Sequence, residues 1–229
     1  MSEPFSISVS DTETVSGLLY GAAKSGRVRA TLLLGHGAGA NHTHPLMVKF
    51  ASGLAGRGID TATFNFLYTE KGRGGPDRGD KLEACYRAAI ATVHQIQGLK
   101  GQRLFIGGKS MGGRIASQVA AAGLDDLSGL VFLGYPLHPP GKPEQLRSKH
   151  LDRIGAPMLF IQGSRDSFGA PDELRPIFEE LGLPAMLYEV EGGDHSFKVP
   201  KRSPVPQEQV YQNVMDEITN WMKGVVSSE

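Results

Sequence analysis

The sequence predicts one doubly wound α/β domain spanning 1–229, with a mostly parallel sheet of about seven or eight strands flanked by helices. Three observations predict it. Short apolar runs recur along the chain, stretches with helical spacing separate them, and the glycines gather at the ends of particular runs. Continuous apolar runs are what a sheet covered on both faces requires, whereas a sheet with one wet face shows strict alternation.

Four runs read as strands buried on both faces: Thr31 to Leu34, Leu104 to Ile106, Leu130 to Leu133 and Met158 to Ile161. A fifth, Thr61 to Phe66, is interrupted by Asn65. Weaker candidates are Phe5 to Val9, Gly17 to Tyr20 and Met186 to Val190. Between them, Leu82, Cys85, Tyr86, Ala89, Ile90, Val93 and Ile96 recur at spacings of three and four, an apolar helical stripe. Val210, Val214, Ile218, Trp221, Met222 and Val225 repeat that pattern near the C-terminus. In such folds the chemistry sits on loops at the carboxyl ends of the strands.

Composition narrows the function. Twenty-four Lys and Arg balance 24 Asp and Glu, which argues against a protein that grips nucleic acid or an anionic membrane. A single cysteine excludes an intramolecular disulfide and a multi-cysteine zinc site. No window of about 18 apolar residues is present, and Met1-Ser2-Glu3-Pro4-Phe5 lacks the basic start of a signal peptide, so the expected location is cytoplasmic. Glycine is over-used, with 30 residues.

Leu104-Phe105-Ile106 runs into Gly107-Gly108-Lys109-Ser110-Met111-Gly112-Gly113 and then into a helical pattern. Gly108 to Gly112 is G-x-S-x-G in the strand–turn–helix setting that this motif needs. A serine lifted out of a sheet on a tight turn crowds the neighbouring backbone, so only tiny side chains fit two residues before and after it. The helix behind it aims its N-terminus, and the Met111 N–H, at a carbonyl under attack. A Walker A loop is excluded, because the glycine it needs five positions before Gly108 is Arg103. Gly35-His36-Gly37-Ala38-Gly39-Ala40 fits a loose dinucleotide pattern, yet the acid that should end the next strand is Asp60, which precedes it. No cofactor is expected.

A serine hydroxyl needs a base, and the base needs a carboxylate to orient it. After an elbow of this kind the acid comes first and the histidine second. Asp166 follows the run Met158 to Ile161, and His195 follows the run Met186 to Val190. Asp172 competes with Asp166 only as a helix cap, and His36, His42, His44, His94, His138 and His150 lack His195's position after both the acid and a strand. Asp194 is expected to shape its loop. The oxyanion hole is assigned to the main-chain N–H groups of Met111 and Ala38, with Gly39 as the alternative to Ala38. His42 and His44 lie two apart with no third ligand in view, so no metal is expected. Cys85 lies on the apolar stripe and reads as a core thiol.

With those residues in place, the chain resembles the compact, lidless α/β-hydrolases related to dienelactone hydrolase. More narrowly, it resembles a family of small bacterial hydrolases whose eukaryotic relatives include testis-expressed proteins and a subunit of a chromatin acetyltransferase complex. The segments that carry the resemblance are Leu34 to Gly39, Phe64 to Tyr68, Gly108 to Arg114, Gly134 to Pro143, Gln162 to Asp166 and Gly192 to Phe197. The resemblance implies a triad of Ser110, Asp166 and His195. Dienelactone hydrolase itself uses a cysteine where this chain has Ser110, so general ester hydrolysis rather than dienelactone chemistry is implied.

The expected activity is therefore a serine hydrolase of the carboxylesterase kind, cleaving a small-molecule ester of small or medium acyl length. The stretch between Leu133 and Ala156, where a lid would be inserted, is too short for one. Asn65, Phe66, Tyr68, Tyr135, His138 and Phe168 stand just beyond strands and are candidate substrate-binding walls, with ordinary packing as the equal alternative. Lys109 and Arg114 flank the serine; they suit an anionic substrate, although surface solvation is the commoner reason for such charges. The competing reading is a non-catalytic binding or assembly scaffold on the same fold, against which stands the full set of triad candidates in order.

Overall fold

Eight strands form one sheet in a computed structural model that describes residues 2–228. They are β1 Ser2–Ser8, β2 Thr14–Tyr20, β3 Ala30–Gly35, β4 Asp60–Phe64, β5 Arg103–Lys109, β6 Leu127–Leu133, β7 Met158–Gly163 and β8 Ala185–Val190. The helices are α1 Pro45–Ala55, α2 Leu67–Glu70, α3 Gly79–Gln95, α4 Met111–Ala121, α5 Pro171–Glu180 and α6 Gln207–Ser227. The strands lie in the order β1-β2-β4-β3-β5-β6-β7-β8. Pairing is antiparallel for β1–β2 and β2–β4 and parallel from β4 through to β8. This is the expected mostly parallel, doubly wound sheet; residues 1 and 229 of the expected domain lie outside the described residues.

Helices cover both faces, as the unbroken apolar runs demand. On one face α3, α4 and α5 bury Tyr86, Ile115 and Leu174 against Ile106, Phe132 and Phe160. On the other, α1 and α6 bury Phe50, Met215 and Ile218 against Leu32, Phe105 and Val131. Alternate residues of β3, β5, β6 and β7 thus enter different cores, and β3 and β7 are buried along their whole length. Between Gly134 and Pro157 the regular structure is one short 3-10 turn, Leu151–Arg153, so no lid rises over the sheet.

Strand order places the site. The chain leaves β3 to reach β4 on one side and then crosses to β5 on the other, a switch that opens a crevice at the carboxyl ends of β3 and β5. Asp60 sits at the opposite end, where Arg27 clamps its buried carboxylate with bonds of 2.6 and 2.8 Å. Tyr86 reaches from α3 into the sheet: its hydroxyl lies 2.9 Å from the Leu33 carbonyl and 2.6 Å from that of Gly107, and accepts from Gly107 N–H at 3.0 Å. It joins β3 to β5 directly beneath the crevice.

The first turn of α4 presses against the end of β3. A Cβ at Gly112 would stand 2.1 Å from the Gly35 carbonyl oxygen, and that backbone is held in the sheet. In an ordinary helix Gly→Ala stabilises by about 1 kcal/mol. Here the collision outweighs that gain, so Gly112→Ala is expected to destabilise by about 2–3 kcal/mol. Urea unfolding checks this: the midpoint should fall with an unchanged slope, and a midpoint at or above wild type would remove the close approach as the reason for this glycine.

Candidate active site

Ser110 stands between β5 and α4 with φ 50° and ψ −115°, a left-handed conformation that a non-glycine residue holds only under tertiary constraint. Its N–H donates to the Leu133 carbonyl at 3.1 Å, and Arg114 N–H donates to its own carbonyl at 3.0 Å, so both neighbours of the turn clamp it. The strain presents the hydroxyl to the crevice.

Asp166 and His195 arrive on loops after β7 and β8. The Asp166 carboxylate is buried and accepts three bonds: from His195 Nδ1 at 2.7 Å, Gln162 Nε2 at 2.9 Å and Phe168 N–H at 2.9 Å. An ionised carboxylate only accepts, so the proton on this imidazole belongs to Nδ1. That leaves Nε2, 2.8 Å from Ser110 Oγ, as the acceptor for the serine hydroxyl. Phe168 stacks on the imidazole with centroids 4.2 Å apart and planes 28° from parallel, limiting ring rotation.

The two loops are tied to each other. Arg165 N–H donates to the Gly193 carbonyl at 2.9 Å, and Gly192 N–H to Ser164 Oγ at 2.7 Å. Asp194 accepts from the N–H groups of Ser196 and Lys198 at 2.7 and 2.9 Å, the loop-shaping role expected of it. Asp172 caps nothing: the residue before α5 is Ala170, and Glu173 Oε1 accepts from its N–H at 2.8 Å. Pro171 in the first turn sets the helix start two residues earlier than an Asp172 cap would.

The loop after β3 lies against the serine. A Cβ at Gly37 would be 3.7 Å from Ser110 Cβ. His36 is fully buried; its Nδ1 donates to the Gly37 carbonyl at 2.8 Å and its Nε2 accepts from Phe66 N–H at 3.2 Å. Burial pushes the imidazole down to about 4, so it stays neutral and fixes the loop through those two bonds. Among the described residues, Ala38 N–H and Met111 N–H make no hydrogen bond within the chain, which leaves both donors free beside the serine.

The candidate wall residues divide. Phe168 touches the triad through His195. Phe66 and Tyr68 are buried and meet His36 edge-on at 5.1 and 5.9 Å, backing the loop rather than facing the crevice. Asn65 accepts from His42 N–H at 3.0 Å and donates to Glu70 at 2.9 Å, bracing two loops. Tyr135 is fully buried between Phe132 and Phe160, with its hydroxyl on the Arg147 carbonyl at 2.7 Å. His138 joins the loop after β6 to α5 through Glu173 at 3.0 Å.

His44 Nδ1 caps α1 by accepting from Leu46 N–H at 3.3 Å. Among the described residues no group of three His, Cys, Asp or Glu side chains converges on one point. Cys85 is buried, and desolvation pushes its thiol up to about 12, far from a reactive thiolate.

Two residues carry more than the linear reading assigned them. Gln162 is wholly buried at the end of β7; besides Asp166, its amide donates to the carbonyls of Gly169 and Tyr135 at 2.6 and 3.2 Å and accepts from Tyr135 N–H at 2.9 Å. The signal for it was one amide closing an otherwise apolar strand, four residues before the acid. Lys109 is not solvated surface, as its charge suggested: it is 7 % exposed and its Nζ has no hydrogen-bond partner among the described residues. β5 delivers it into the layer between the sheet and the His195 loop. Arg114 is half-buried, and burial followed by the nearby Arg147 pushes its guanidinium down.

A serine, an imidazole and a carboxylate in one hydrogen-bonded line, on loops at the carboxyl edge of a doubly wound parallel sheet, define the architecture of an α/β-hydrolase. The chain belongs to the α/β-hydrolase domain family, whose profile matches residues 28–223. Solved structures repeat the fold over nearly the full length. A lidless α/β serine hydrolase from Xanthomonas campestris is 16% identical, with 99% of this chain and 94% of that one covered and a TM-score of 0.68. Est1E from Butyrivibrio proteoclasticus, with ferulic acid bound, is 13% identical over 97% and 99% of the two chains, with a TM-score of 0.77. Dienelactone hydrolase from Anabaena variabilis is 18% identical over 97% and 96%, with a TM-score of 0.73. At these identities the likeness is one of fold. The lidless, dienelactone-hydrolase-like frame read from the sequence is the one observed.

Proposed function

We propose that the protein is a serine hydrolase that cleaves small or medium acyl esters through an acyl-enzyme, with Ser110 as nucleophile, His195 as base and Asp166 as orienting acid. The observation that carries this reading is the unbroken line from Ser110 Oγ through both nitrogens of His195 to Asp166, at 2.8 and 2.7 Å. Ser110 Oγ attacks the ester carbonyl as His195 Nε2 takes its proton, and Asp166 stabilises the imidazolium. The N–H groups of Ala38 and Met111 receive the oxyanion, each contributing about 3–4 kcal/mol at the transition state. His195 returns the proton to the departing alkoxide. Water, activated by the same nitrogen, then releases the acid and frees the serine.

The short, lidless connection between β6 and β7 and the esterase names of two structural neighbours, an esterase domain from Rhodothermus marinus and a cold-adapted esterase from an Arctic metagenomic library, favour esters over long-chain lipid. Phe168, stacked on the base, supplies one apolar wall. A fluorophosphonate probe tests the reading: the folded protein should gain one adduct, located by peptide mass spectrometry at Ser110. A folded protein that takes up no probe would instead favour a non-catalytic scaffold. Across p-nitrophenyl esters of increasing acyl length, turnover should be greatest for the short and middle members.

A further inference from the structure

The buried ammonium of Lys109 has no role in that cycle, yet its place beside the triad is close. A Cβ at Gly134 would lie 3.2 Å from Lys109 Nζ and 3.2 Å from His195 Nδ1, so the two nitrogens are separated by no more than twice that distance. On its other side the lysine stem passes Gly37, where a Cβ would lie 3.7 Å from its Cγ. Among the described residues no carboxylate salt-bridges it. A full charge is thus held in a weakly screened layer next to the imidazole, where charge interactions are several-fold stronger than in water.

The charged and titratable groups around this layer come from every neighbouring element. Asp166 after β7 and Asp194 after β8 attract the ammonium, and His36 after β3 is neutral. From α6, Tyr211 interacts with Asp194, and from α1, Lys49 sits over the Tyr211 ring at 5.5 Å. Among the described residues no side chain neutralises Lys109 by direct contact.

Resting on the triad reading above, we infer that Lys109 is a positioning residue that sets the pH at which His195 becomes an effective base. A fixed positive charge within a few ångströms opposes protonation of the imidazole by solvent, so His195 stays free to accept from Ser110 at lower pH than it otherwise would. The ammonium itself is pushed down to about 8, chiefly by burial and against the pull of Asp166 and Asp194. As pH rises through that value the positive charge disappears, the imidazolium formed during attack is less opposed, and the rate should step up a second time.

The test is the pH dependence of fluorophosphonate inactivation, paired with an NMR titration of the His195 ring, for wild type, Lys109→Met and Lys109→Arg. Lys109→Met should move the acidic limb and the ring titration upward, and should lack the second rise near pH 8. Lys109→Arg, which keeps its charge, should retain the wild-type acidic limb and also lack the second rise. A purely structural lysine would alter stability or the plateau rate and leave the limb and the titration in place; superimposable profiles for wild type and Lys109→Met therefore overturn the inference. If Lys109→Met does not fold, Lys109→Arg decides, since a surviving rise near pH 8 excludes Lys109 as its origin. Failure to label wild-type Ser110 refutes the hydrolase reading instead, while the ring titration still reports on Lys109.

Discussion

Ser110→Ala is expected to lower ester turnover by about six orders of magnitude and to abolish fluorophosphonate labelling, with the fold unchanged. Alanine removes the only atom that His195 Nε2 contacts on this residue, and the residual rate would come from the free N–H groups of Ala38 and Met111 acting on water. Backbone strain adds a second, independent readout. At φ 50° and ψ −115° alanine is strained as serine is, so Ser110→Ala should unfold near the wild-type temperature. Glycine adopts that conformation freely. Relief of strain worth roughly 1–3 kcal/mol, less the extra chain entropy of glycine in the unfolded state, leaves Ser110→Gly inactive but more stable by about 1 kcal/mol. A Ser110→Gly variant that melts below wild type would show that the elbow is not strained, and a Ser110→Ala variant that still turns over esters would remove Ser110 from the chemistry.

Asp166→Asn is expected to cost about four orders of magnitude in kcat, and the surroundings of the carboxylate say why. Asp166 accepts on both oxygens, from Phe168 N–H on one and from Gln162 and His195 on the other. An asparagine has one oxygen for these donors, so one donor must meet its NH2 group. Among the described residues Phe168 N–H has no other acceptor, whereas the Gln162 amide already leans on the carbonyls of Gly169 and Tyr135. The amide oxygen therefore turns to Phe168 and the NH2 group to His195. That forces the imidazole proton onto Nε2, where it faces Ser110 Oγ and the ring can no longer act as base. The misfit at Gln162 should also lower stability by about 1–3 kcal/mol. Comparable turnover in wild type and Asp166→Asn across the pH range would sink the assignment of Asp166.

Much of this molecule was legible in the linear pattern because the features concerned are local. A strand buried on both faces must be apolar throughout, which is why the runs at Thr31, Leu104, Leu130 and Met158 coincide with β3, β5, β6 and β7. The strained turn at Ser110 needs glycines at fixed offsets, so Gly108 and Gly112 betray it. Loops after β7 and β8 must open on the same edge of a parallel sheet, and the structure brings Asp166 and His195 together there.

Other residues were illegible because their meaning depends on what the chain places beside them. Lys109 carries a charge that the sequence makes a surface residue; the His195 loop folds over it and leaves it buried. Gln162 reads as the polar end of a strand until Tyr135, Gly169 and Asp166 converge on its amide. Asn65, Phe66, Tyr68, Tyr135, His138 and Phe168 looked alike as residues beyond strands, but Phe168 is the one that stacks on the His195 imidazole, while Tyr135 sits in the core. Periodicity and turn chemistry act over a few residues and so specify strands, helices and the elbow. Burial of a charge, the sharing of an amide among three acceptors and the choice of which ring faces the crevice arise between segments far apart in the chain, and only their packing against one another sets them.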